Sequence, residues 1–410
     1  MLGIFFHFSA VMQMRIEEFK NEIKKILQDK NLAIALSRAI NSYRINRAKI
    51  MDKFPNTYKL VEEVRRIKED SVERIQELVE TATENMVENG IDVHFAKDAE
   101  EGRKIAYKLL SDCNCIVKAK SMTCEEIRLR EFLESKGIEV WETDLGEFIV
   151  QMLNDKPMHI ITPAIHLPRE TIVKALNDKM DCVKASNNIQ EIVKAVKSYL
   201  RNKFFEADAG ISGANVVAAE TGSMIIIENE GNARLATGLP EKHVAIIGVE
   251  KIVPTLSDAI KVAEVTWRFA GYAVPSYLNI ISSPSKTGDI EKIIVKGAHG
   301  PKDLHVVFLD NGRIKASQDE YLKEALLCLR CGSCMYECPI YQKLSGHWGG
   351  EVYTGGIGIA WTAITGGDVS MAFLCLLCSR CAEVCPMKID SSKILRELRK
   401  KILYKKIKKV

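Results

Sequence analysis

The N-terminal part of the chain carries apolar side chains at the spacing of an amphipathic helix. Between residues 15 and 88 they recur every three or four positions, as at Ile16, Phe19 and Ile23, with charged residues between them. Pro55 interrupts this pattern near its middle. We therefore predict a helical N-terminal region over residues 15–88, made of two halves.

From about residue 89 the pattern changes to short apolar runs that alternate with helical stretches. Asp98 with Glu101, and Thr123 with Glu126, have the spacing of a helix N-cap and its capping-box partner. The predicted strands cover 91–95, 115–119, 138–142, 159–162, 223–228, 243–249, 277–282 and 305–310, and one predicted helix covers 256–269. This alternation indicates an α/β domain with a largely parallel sheet over residues 89–315.

Composition places the chain among globular proteins with two or three domains. It has 410 residues, of which 47% are hydrophobic and 27% charged, and its net charge of +4 is too small to indicate a nucleic-acid partner. Basic residues cluster in the C-terminal tail, 396–410. We interpret this tail as a solvated final helix rather than a membrane or partner surface.

The apolar N-terminus, Leu2 to Met12, is too short to span a bilayer and lacks the basic region of a signal peptide. We interpret residues 1–14 as an extension, with translation starting at Met12 or Met14. We expect no direct membrane span, so membrane association would require a partner. Without a secretory signal the cysteines are expected to stay reduced, which predicts a cytoplasmic protein.

Eight of the twelve cysteines form two copies of the pattern C-x2-C-x2-C-x3-C-P. The first copy is Cys328, Cys331, Cys334 and Cys338 before Pro339, and the second is Cys375, Cys378, Cys381 and Cys385 before Pro386. This is the spacing of bacterial ferredoxins with two [4Fe–4S] clusters. One copy could be a zinc site or arise by chance, but two copies, each with its proline, favour two clusters and electron transfer.

The spacing also predicts which cysteine holds which cluster. Three cysteines at this spacing surround one cubane, and the fourth, beside the proline, ligates the other cluster. We therefore group Cys328, Cys331 and Cys334 with Cys385, and Cys375, Cys378 and Cys381 with Cys338. The motifs lie on helical segments and define an α-helical ferredoxin domain over residues 316–395. The other cysteines, Cys113, Cys115, Cys124 and Cys182, have no metal-like spacing and are predicted to be reduced, partly buried thiols.

Six stretches of the α/β region resemble the LUD domain of lactate-utilisation proteins. They are 118–122 (KAKSM), 143–147 (TDLGE), 207–214 (ADAGISGA), 219–223 (AETGS), 228–234 (ENEGNAR) and 297–301 (GAHGP). Followed by the doubled cysteine motif, they make the chain similar to the LutB-type iron–sulfur proteins over about residues 60–390. The loop 283–288 departs from the family with a serine and a lysine where glycine and arginine are expected, and the chain ends 25 residues after Cys385, earlier than is usual.

The resemblance implies a fold, an activity and partners. The fold would be an α/β sheet domain of the NagB/RpiA/CoA-transferase-like kind, followed by the α-helical two-cluster ferredoxin domain. The activity would be electron transfer in a system that oxidises L-lactate, or a related 2-hydroxy acid, to pyruvate. The partners would be a cysteine-rich iron–sulfur subunit and a second LUD protein.

The resemblance also suggests a pocket for a small carboxylate or phosphate. A glycine-containing loop lets backbone N–H groups approach an anion closely. The candidates for this pocket are Lys118, Lys120, Ser121, Gly210, Gly213, Glu220, Thr221, Asn232 and Arg234. The alternative is that the glycines form tight turns and the charges pair on the surface. Glu220 could be a nucleophile, as in CoA-transferase-like folds, or could cap a turn or pair with Arg234.

Three functions remain open from the sequence. The first is the electron-transfer subunit of a 2-hydroxy-acid oxidising system. The second is a self-contained enzyme acting on acyl or phosphorylated substrates in the LUD pocket. The third is a ferredoxin-like adaptor of another oxidoreductase complex, such as a heterodisulfide-reductase-like system. No G-x-G-x-x-G follows a predicted strand, so two-electron chemistry is expected to need a partner, which favours the first and third.

Overall fold

A parallel sheet lies at the centre of the computed structural model, which describes residues 20–180 and 186–407. Within that part of the chain the sheet has six strands in the order β1-β12-β7-β4-β2-β3, and each neighbouring pair is parallel. These strands are β1 Asp92–Ala96, β2 Cys115–Lys118, β3 Glu139–Glu142, β4 Ala209–Ser212, β7 Lys242–Gly248 and β12 Asp303–Leu309. The predicted mixed α/β fold is confirmed.

A second sheet flanks the first. Among the described residues it has four strands in the order β8-β5-β6-β9, and a short hairpin pairs β10 with β11. These strands are β5 Val216–Ala218, β6 Ser223–Glu228, β8 Ile252–Val253, β9 Tyr277–Ile281, β10 Lys286–Thr287 and β11 Val295–Lys296. Strand β6 pairs antiparallel with both β5 and β9, whereas β5 and β8 are parallel, so this sheet is mixed.

Helices cover both faces of the parallel sheet. Residues 20–28 are helical, and the helices after them are α1 Lys30–Lys53, α2 Thr57–Glu73, α3 Ile75–Glu88, α4 Ala99–Leu110, α5 Met122–Glu126, α6 Leu129–Glu134, α7 Leu145–Leu153, α8 Arg169–Lys179, α9 Ile189–Glu206, α10 Asn232–Gly238, α11 Leu256–Phe269, α12 Arg313–Ser317, α13 Lys323–Leu326, α14 Ser333–Glu337, α15 Tyr341–Leu344, α16 Gly355–Ile364, α17 Arg380–Val384 and α18 Ser391–Ile407. Leu110 and Leu133 pack on one face of the sheet, and Leu78 and Met86 on the other. With both faces covered, strands such as β12 are apolar along nearly their whole length.

The N-terminal helices share one core with the cysteine-containing region. Leu36 of α1 and Val64 of α2 belong to the same buried cluster as Leu326, Trp348 and Trp361. The helical N-terminal region is therefore packed directly against the region that carries the cysteine motifs. The predicted extension at 1–14 and the predicted thiol at Cys182 lie outside the described residues.

Some local predictions are confirmed and others are wrong. Asp98 caps α4 by accepting a hydrogen bond from the Glu101 N–H at 2.9 Å, as predicted. The next cap is Ser121 rather than Thr123, because Ser121 accepts from the Cys124 N–H at 3.3 Å. The helix after this cap, α5, ends at Glu126, and the chain turns at Arg128, whose φ is 48°, before α6 begins at Leu129.

Two further predictions are corrected by the surrounding structure. The strand predicted at 159–162 is not formed: residues 159–161 form bends, and Ile160, Ile161 and Thr162 line a cavity instead of joining a sheet. The predicted glycine loop at Gly210 is part of strand β4. A Cβ at Gly210 would lie 1.7 Å from the Ala236 carbonyl oxygen, so this glycine allows α10 to pack closely on the strand.

The C-terminal tail continues a helix of the ferredoxin region. Helix α18 begins at Ser391 and runs through the boundary predicted at 395 without a break. Arg399 in this helix donates to the Ala372 carbonyl oxygen at 2.7 Å and also to that of Cys375. Part of the predicted tail therefore holds the chain just before the second cysteine motif.

Candidate functional site

The two cysteine motifs have the same backbone. In the first, the chain turns at Arg330 and Gly332, whose φ values are 57° and 77°, and enters α14. In the second, Leu377 and Ser379 hold the same positions before α17, with φ values of 56° and 58°. A left-handed residue other than glycine costs ~1–2 kcal/mol. Its recurrence at equivalent positions indicates that the motif itself imposes the turn.

Each turn directs a backbone N–H at the first sulfur of its motif. The Arg330 N–H donates to Cys328 Sγ, and the Leu377 N–H donates to Cys375 Sγ, each at an N···S distance of 3.4 Å. A hydrogen bond to sulfur favours the thiolate and tunes the potential of an iron–sulfur cluster. Both motifs are therefore arranged for an anionic cysteine ligand.

The last cysteine of each motif lies among the thiols of the other motif. Burial raises the pKa of Cys385, and the nearby thiols of Cys331 and Cys328 raise it further. Burial likewise raises the pKa of Cys338 to about 12, with contributions from the thiols of the second motif at Cys381 and Cys375. Cys385 thus lies near two thiols of the first motif, and Cys338 near two thiols of the second.

A small cavity lies between thiols of the two motifs. The cysteines lining it are Cys334, Cys338, Cys375, Cys378 and Cys381. Within residues 20–180 and 186–407, no three His, Cys, Asp or Glu side chains meet closely enough to hold a single metal ion. A cubane instead takes one thiolate at each of four separate iron corners. Four of the five lining cysteines, Cys338, Cys375, Cys378 and Cys381, are the set that the spacing assigns to one cubane, and Cys334 belongs to the other predicted set.

The first motif lies in the interior. Three of the five residues of α14 are buried, and so is Cys331. Ser333 lies 3.4 Å from Cys331 Sγ and donates to the Phe269 carbonyl oxygen at 2.8 Å. Tyr43 of α1 lies 2.6 Å from the Ser333 hydroxyl and 2.9 Å from the same carbonyl oxygen. The N-terminal helix therefore forms part of the wall around the first motif.

The second motif lies at the surface. None of the five residues of α17 is buried, and Cys378 is exposed. Beside it, Leu376 and Phe373 expose 64% and 46% of their surface. Exposed apolar side chains grouped at a functional site are typical of a protein-binding surface. We call Leu376 and Phe373 the apolar patch.

A larger cavity of about 520 Å³ lies between the α/β region and the first cysteine motif. Of the residues predicted for an anion pocket, Lys120, Ser121, Gly213 and Asn232 line it. Cys328 and Cys331 also line it. Its volume is within the range of about 300–1,000 Å³ usual for ligand pockets. A ligand bound there would lie next to the thiols of the first motif.

Gly213 and Ser121 form a tightly packed part of the cavity wall. A Cβ at Gly213 would lie only 2.5 Å from Ser121 Oγ, so glycine is needed for this approach. On the same wall, Asn232 donates to the Thr143 hydroxyl at 3.2 Å. The structure thus brings together predicted residues that are about ninety positions apart in the sequence.

The charges around Lys120 are mostly negative. Lys120 Nζ lies 3.4 Å from Glu147 Oε1 and donates to the Ile161 carbonyl oxygen at 3.2 Å. Asp144 and Glu230 line the same part of the cavity. Burial raises the pKa of Glu230 to about 7, and the charge of Asp144 adds to the effect. We call this part of the cavity the acidic end.

Two of the remaining candidates have structural partners outside the cavity wall. Lys118 is buried and pairs with Glu125 at 2.7 Å and with Glu142 at 2.9 Å. Gly210 lies in strand β4 against α10. Neither residue lines the cavity.

The last three candidates also lie away from the cavity. Glu220 accepts a hydrogen bond from the Leu256 N–H at 2.7 Å and so holds the start of α11. Thr221 donates to the Ser223 hydroxyl at 2.9 Å. The guanidinium of Arg234 stacks on the ring of Tyr277, 4.4 Å from its centroid, and does not pair with Glu220.

Several charged residues of the cavity were missed in the sequence. Lys68, Glu250, Lys251 and Arg330 line its inner end. They come from α2, from the turn after β7 and from the first cysteine motif, so no short-range pattern groups them. Of these residues, only Arg330 could have been singled out from the sequence, because it stands in the first motif where the second motif has Leu377.

Comparisons with known proteins place the chain in a family. Residues 79–309 match the family described as the LUD domain, and residues 324–389 match the family described as the 4Fe-4S dicluster domain. The chain therefore carries a dicluster domain for [4Fe–4S] clusters, and its cysteine content fits two of them.

Curated relatives match over almost the whole chain. "Lactate utilization protein B" of Bacillus velezensis is 33% identical over 401 residues, covering 96% of this chain and 82% of that relative. The protein of the same name from Bacillus subtilis is also 33% identical, with the same coverage. The "uncharacterized electron transport protein YkgF" of Escherichia coli is 31% identical over 396 residues, covering 95% of this chain and 81% of that relative.

None of the described helices combines the length and the apolar character needed to cross a bilayer.

Proposed function

This chain belongs to the LUD-domain family whose members also carry a 4Fe-4S dicluster domain, and on that premise we propose that it is the iron–sulfur electron-transfer subunit of a multi-subunit system oxidising L-lactate, or a related 2-hydroxy acid, to pyruvate. The observation that carries this proposal is the large cavity, whose wall includes both LUD-domain residues and the first two cysteines of the first motif. A bound ligand and a redox centre would therefore be neighbours within one chain.

The ligand sets in this proposal cross between the motifs. Cys328, Cys331 and Cys334 would hold one cluster with Cys385, and Cys375, Cys378 and Cys381 would hold the other with Cys338. The mutual nearness of Cys385 with Cys331, and of Cys338 with Cys381, supports this arrangement. When bound, each cluster would accept and release one electron at a time.

Other residues of the chain would bind the ligand and the partner protein. The cavity would hold a ligand beside the buried first motif, away from bulk water. The apolar patch beside exposed Cys378 would receive a partner protein. The relatives named lactate utilization protein B support a role in lactate utilisation. The proposed partners are those that the family resemblance of the sequence implies, namely a cysteine-rich iron–sulfur subunit and a second LUD protein. We place this assembly in the cytoplasm, where the thiols would stay reduced.

The test reconstitutes the chain anaerobically and adds the partners stepwise. We expect about eight irons per chain, from two four-iron clusters. The chain alone should not oxidise lactate with an artificial acceptor, because no residue set in the described chain supplies two-electron chemistry. With both partners, lactate should reduce the clusters, as followed by EPR. Lactate turnover by the chain without partners would contradict the proposal and favour a self-contained enzyme.

A second candidate is a relay adaptor for another oxidoreductase complex. The Escherichia coli relative, whose name mentions electron transport but no substrate, supports this possibility. Reduction of the clusters by a heterodisulfide-reductase-like partner, but not by lactate with the two expected partners, would favour it. An acyl-transfer enzyme that uses Glu220 has less support, because Glu220 holds the start of α11 instead of lining the cavity.

A further inference from the structure

The inner end of the large cavity carries more positive than negative charge. Lys68, Lys251 and Arg330 line it, together with one carboxylate, Glu250. That carboxylate already binds Arg313 and lies 2.7 Å from Arg330 Nη2. Burial would raise the pKa of Glu250, but the charges of Arg313 and Arg330 lower it below its ordinary range. Glu250 therefore stays ionised and its charge is already shared between two arginines.

The two lysines have no carboxylate of their own. Lys68 donates to the backbone carbonyl of Glu250, and Lys251 donates to that of Ala214. Neither forms an ion pair with another residue of the described chain. Burial lowers the pKa of Lys68 to about 8, and burial together with the charge of Arg330 lowers that of Lys251 to about 7. A buried ammonium without a counter-ion is unfavourable, and a bound anion would relieve that cost.

A cluster bound to the first motif would balance part of the positive charge at the inner end of the cavity. Burial raises the pKa of Cys328, and the charges of Arg330 and Lys68 oppose that rise, so both would also act on a cluster bound to it. The charged groups that act most strongly on Lys251 are Arg330, Glu250, Arg313 and Cys124, and none of them is a motif cysteine. A cluster on the first motif would therefore not account for the buried positive charge of Lys251.

Unpaired hydrogen-bond donors at the cavity wall also indicate that an anion binds there. Arg330 is nine-tenths buried, and its Nε has no hydrogen-bond partner among the residues that the structure describes. The indole Nε1 of Trp267 is also buried without a partner. Both residues line the cavity. A bound acceptor such as a carboxylate or phosphate oxygen would satisfy such donors.

The rest of the cavity sets the orientation of such a ligand. Asp144 and Glu230 at the acidic end would repel an anion, and Glu147 neutralises Lys120 there. Apolar side chains line the cavity between the charged groups, namely Met122, Ile160, Val216, Ile226 and Val262. A three-carbon hydroxy acid would fill only a small part of about 520 Å³. The cavity suits an organic anion with an apolar body.

We propose that Lys251, with Lys68 and Arg330 beside it, binds the carboxylate or phosphate group of such an organic anion next to Cys328. This site deepens the proposed function and rests on it, because it puts the ligand beside the thiols that would hold the first cluster. It also moves the anion-binding role from Lys120 to a set of residues that the sequence did not group.

The test uses pairs of ligands that differ in charge. Binding of lactate is compared with binding of uncharged lactamide, and binding of flavin mononucleotide with that of riboflavin, by calorimetry on the anaerobically reconstituted full chain. The first pair isolates a carboxylate and the second a phosphate with a flat apolar body. We expect at least one anion to bind more tightly than its uncharged partner, and to change the EPR spectrum of the cluster on the first motif.

Variants then assign the site. Lys251→Met keeps the length and apolar stem of the side chain, and we expect it to weaken binding of that anion roughly ten- to hundred-fold. Lys251→Arg should restore most of the affinity, which a variant that merely unfolds the cavity could not do. Lys261→Met is the matched control, because Lys261 lies on the surface of α11 and pairs with Glu63 at 2.6 Å. The affinity of the Lys261→Met variant for that anion should equal that of the unmodified chain.

Two outcomes would overturn the proposed site. One is that no anion binds the unmodified chain at millimolar concentration in preference to its uncharged partner. The other is that Lys120→Met weakens binding while Lys251→Met does not, which would put the anion at the acidic end. Neither outcome bears on the electron-transfer function, which is judged separately from iron content and from reduction of the clusters by the partners.

Discussion

The two cysteine motifs share a sequence pattern and a backbone but lie in opposite surroundings. Three of the five residues of α14 in the first motif are buried, whereas none of the five in α17 is. The first motif borders a cavity with buried cations, and the second borders the apolar patch at the surface. At equivalent backbone positions the first carries Arg330 and the second Leu377. The motif sets the local ligand geometry, and the neighbouring elements set what each centre can contact.

The comparison gives the two centres different tasks within the proposed function. The first motif, enclosed by α1 and the LUD-domain cavity, would serve the ligand. The second, with exposed Cys378, would serve a protein partner.

The largest expected effect comes from the crossed ligands. We expect Cys338→Ser to destroy or convert the cluster held mainly by the second motif, and Cys385→Ser to do the same to that of the first. Each would remove up to about four irons per chain, because each cysteine is a ligand of one four-iron cluster. Iron analysis and EPR of the reduced protein measure this. Cys113→Ser, outside both motifs, is the control and should keep about eight irons.

If Cys338→Ser gives the spectrum of Cys328→Ser instead, the ligands are local to each motif. Each centre would then be built from one motif alone, and the nearness of Cys338 to Cys381 and of Cys385 to Cys331 would not reflect shared ligation.

Features set by short stretches of sequence could be predicted, including the cysteine spacing and the N-cap at Asp98. The strands buried on both faces, such as β7 and β12, were also visible as apolar runs. What could not be predicted depends on distant contacts. Lys68 and Lys251 meet at the cavity although they are far apart in the chain, and nothing in either local sequence marks them.

Family-like motifs were a partial guide to the cavity. Lys120, Ser121, Gly213 and Asn232 do line it, but Arg234, from the same stretch as Asn232, points to Tyr277 instead. A helix places neighbouring residues on different faces, so adjacency in a motif does not mean adjacency in a site. For this reason the motif could not separate ligand-facing side chains from packing ones.

The second prediction concerns charge near the first motif. Lys68→Met removes a buried cation whose charge acts on Cys328 of the first motif. Lys68 is not among the charges that act most strongly on Cys375 of the second motif. A reduced cluster carries one more negative charge, so loss of the cation should lower its midpoint potential. For a charge ~8 Å away at an effective dielectric of ~20, the interaction is about 2 kcal/mol, or on the order of 0.1 V. Anaerobic redox titration followed by EPR measures the shift.

The cluster on the second motif should keep its potential in Lys68→Met. Lys261→Met again serves as the control for loss of one positive charge. Equal shifts at both clusters would show that the two centres share one electrostatic environment, contrary to the comparison.

The third prediction concerns the apolar patch. Leu376→Ser should weaken docking of a redox partner by about 1–2 kcal/mol, or roughly tenfold in affinity, because an exposed leucine side chain would be buried in the complex. Both cluster potentials should stay unchanged. Leu403→Ser, which changes an exposed leucine in α18, is the matched control. The measurement is the rate of electron exchange with the reconstituted partners as a function of their concentration.

An unchanged concentration dependence in Leu376→Ser would place partner docking elsewhere. The exposure of the second motif would then be incidental to its function.

The smallest expected effect concerns a hydroxyl pair found at the first motif. Ser333 can give its single proton either to the Phe269 carbonyl oxygen, 2.8 Å away, or to Cys331 Sγ, 3.4 Å away. Tyr43 lies within hydrogen-bonding distance of that same carbonyl, at 2.9 Å. When Tyr43 donates to the carbonyl, Ser333 is left free to donate to the sulfur. Because a hydrogen bond to sulfur stabilises the reduced cluster, Tyr43 would act on the potential through Ser333.

We therefore expect Tyr43→Phe and Ser333→Ala each to lower the potential of the first cluster by less than Lys68→Met does. Each should also lower the free energy of unfolding by about 1 kcal/mol, the usual net worth of one hydrogen bond. The double variant should show the potential shift of Ser333→Ala alone, because both changes remove the same contact to sulfur. Additive shifts would mean that Tyr43 acts on the cluster independently of Ser333. At the second motif Arg380 stands where Ser333 stands in the first, so no such coupling is expected there.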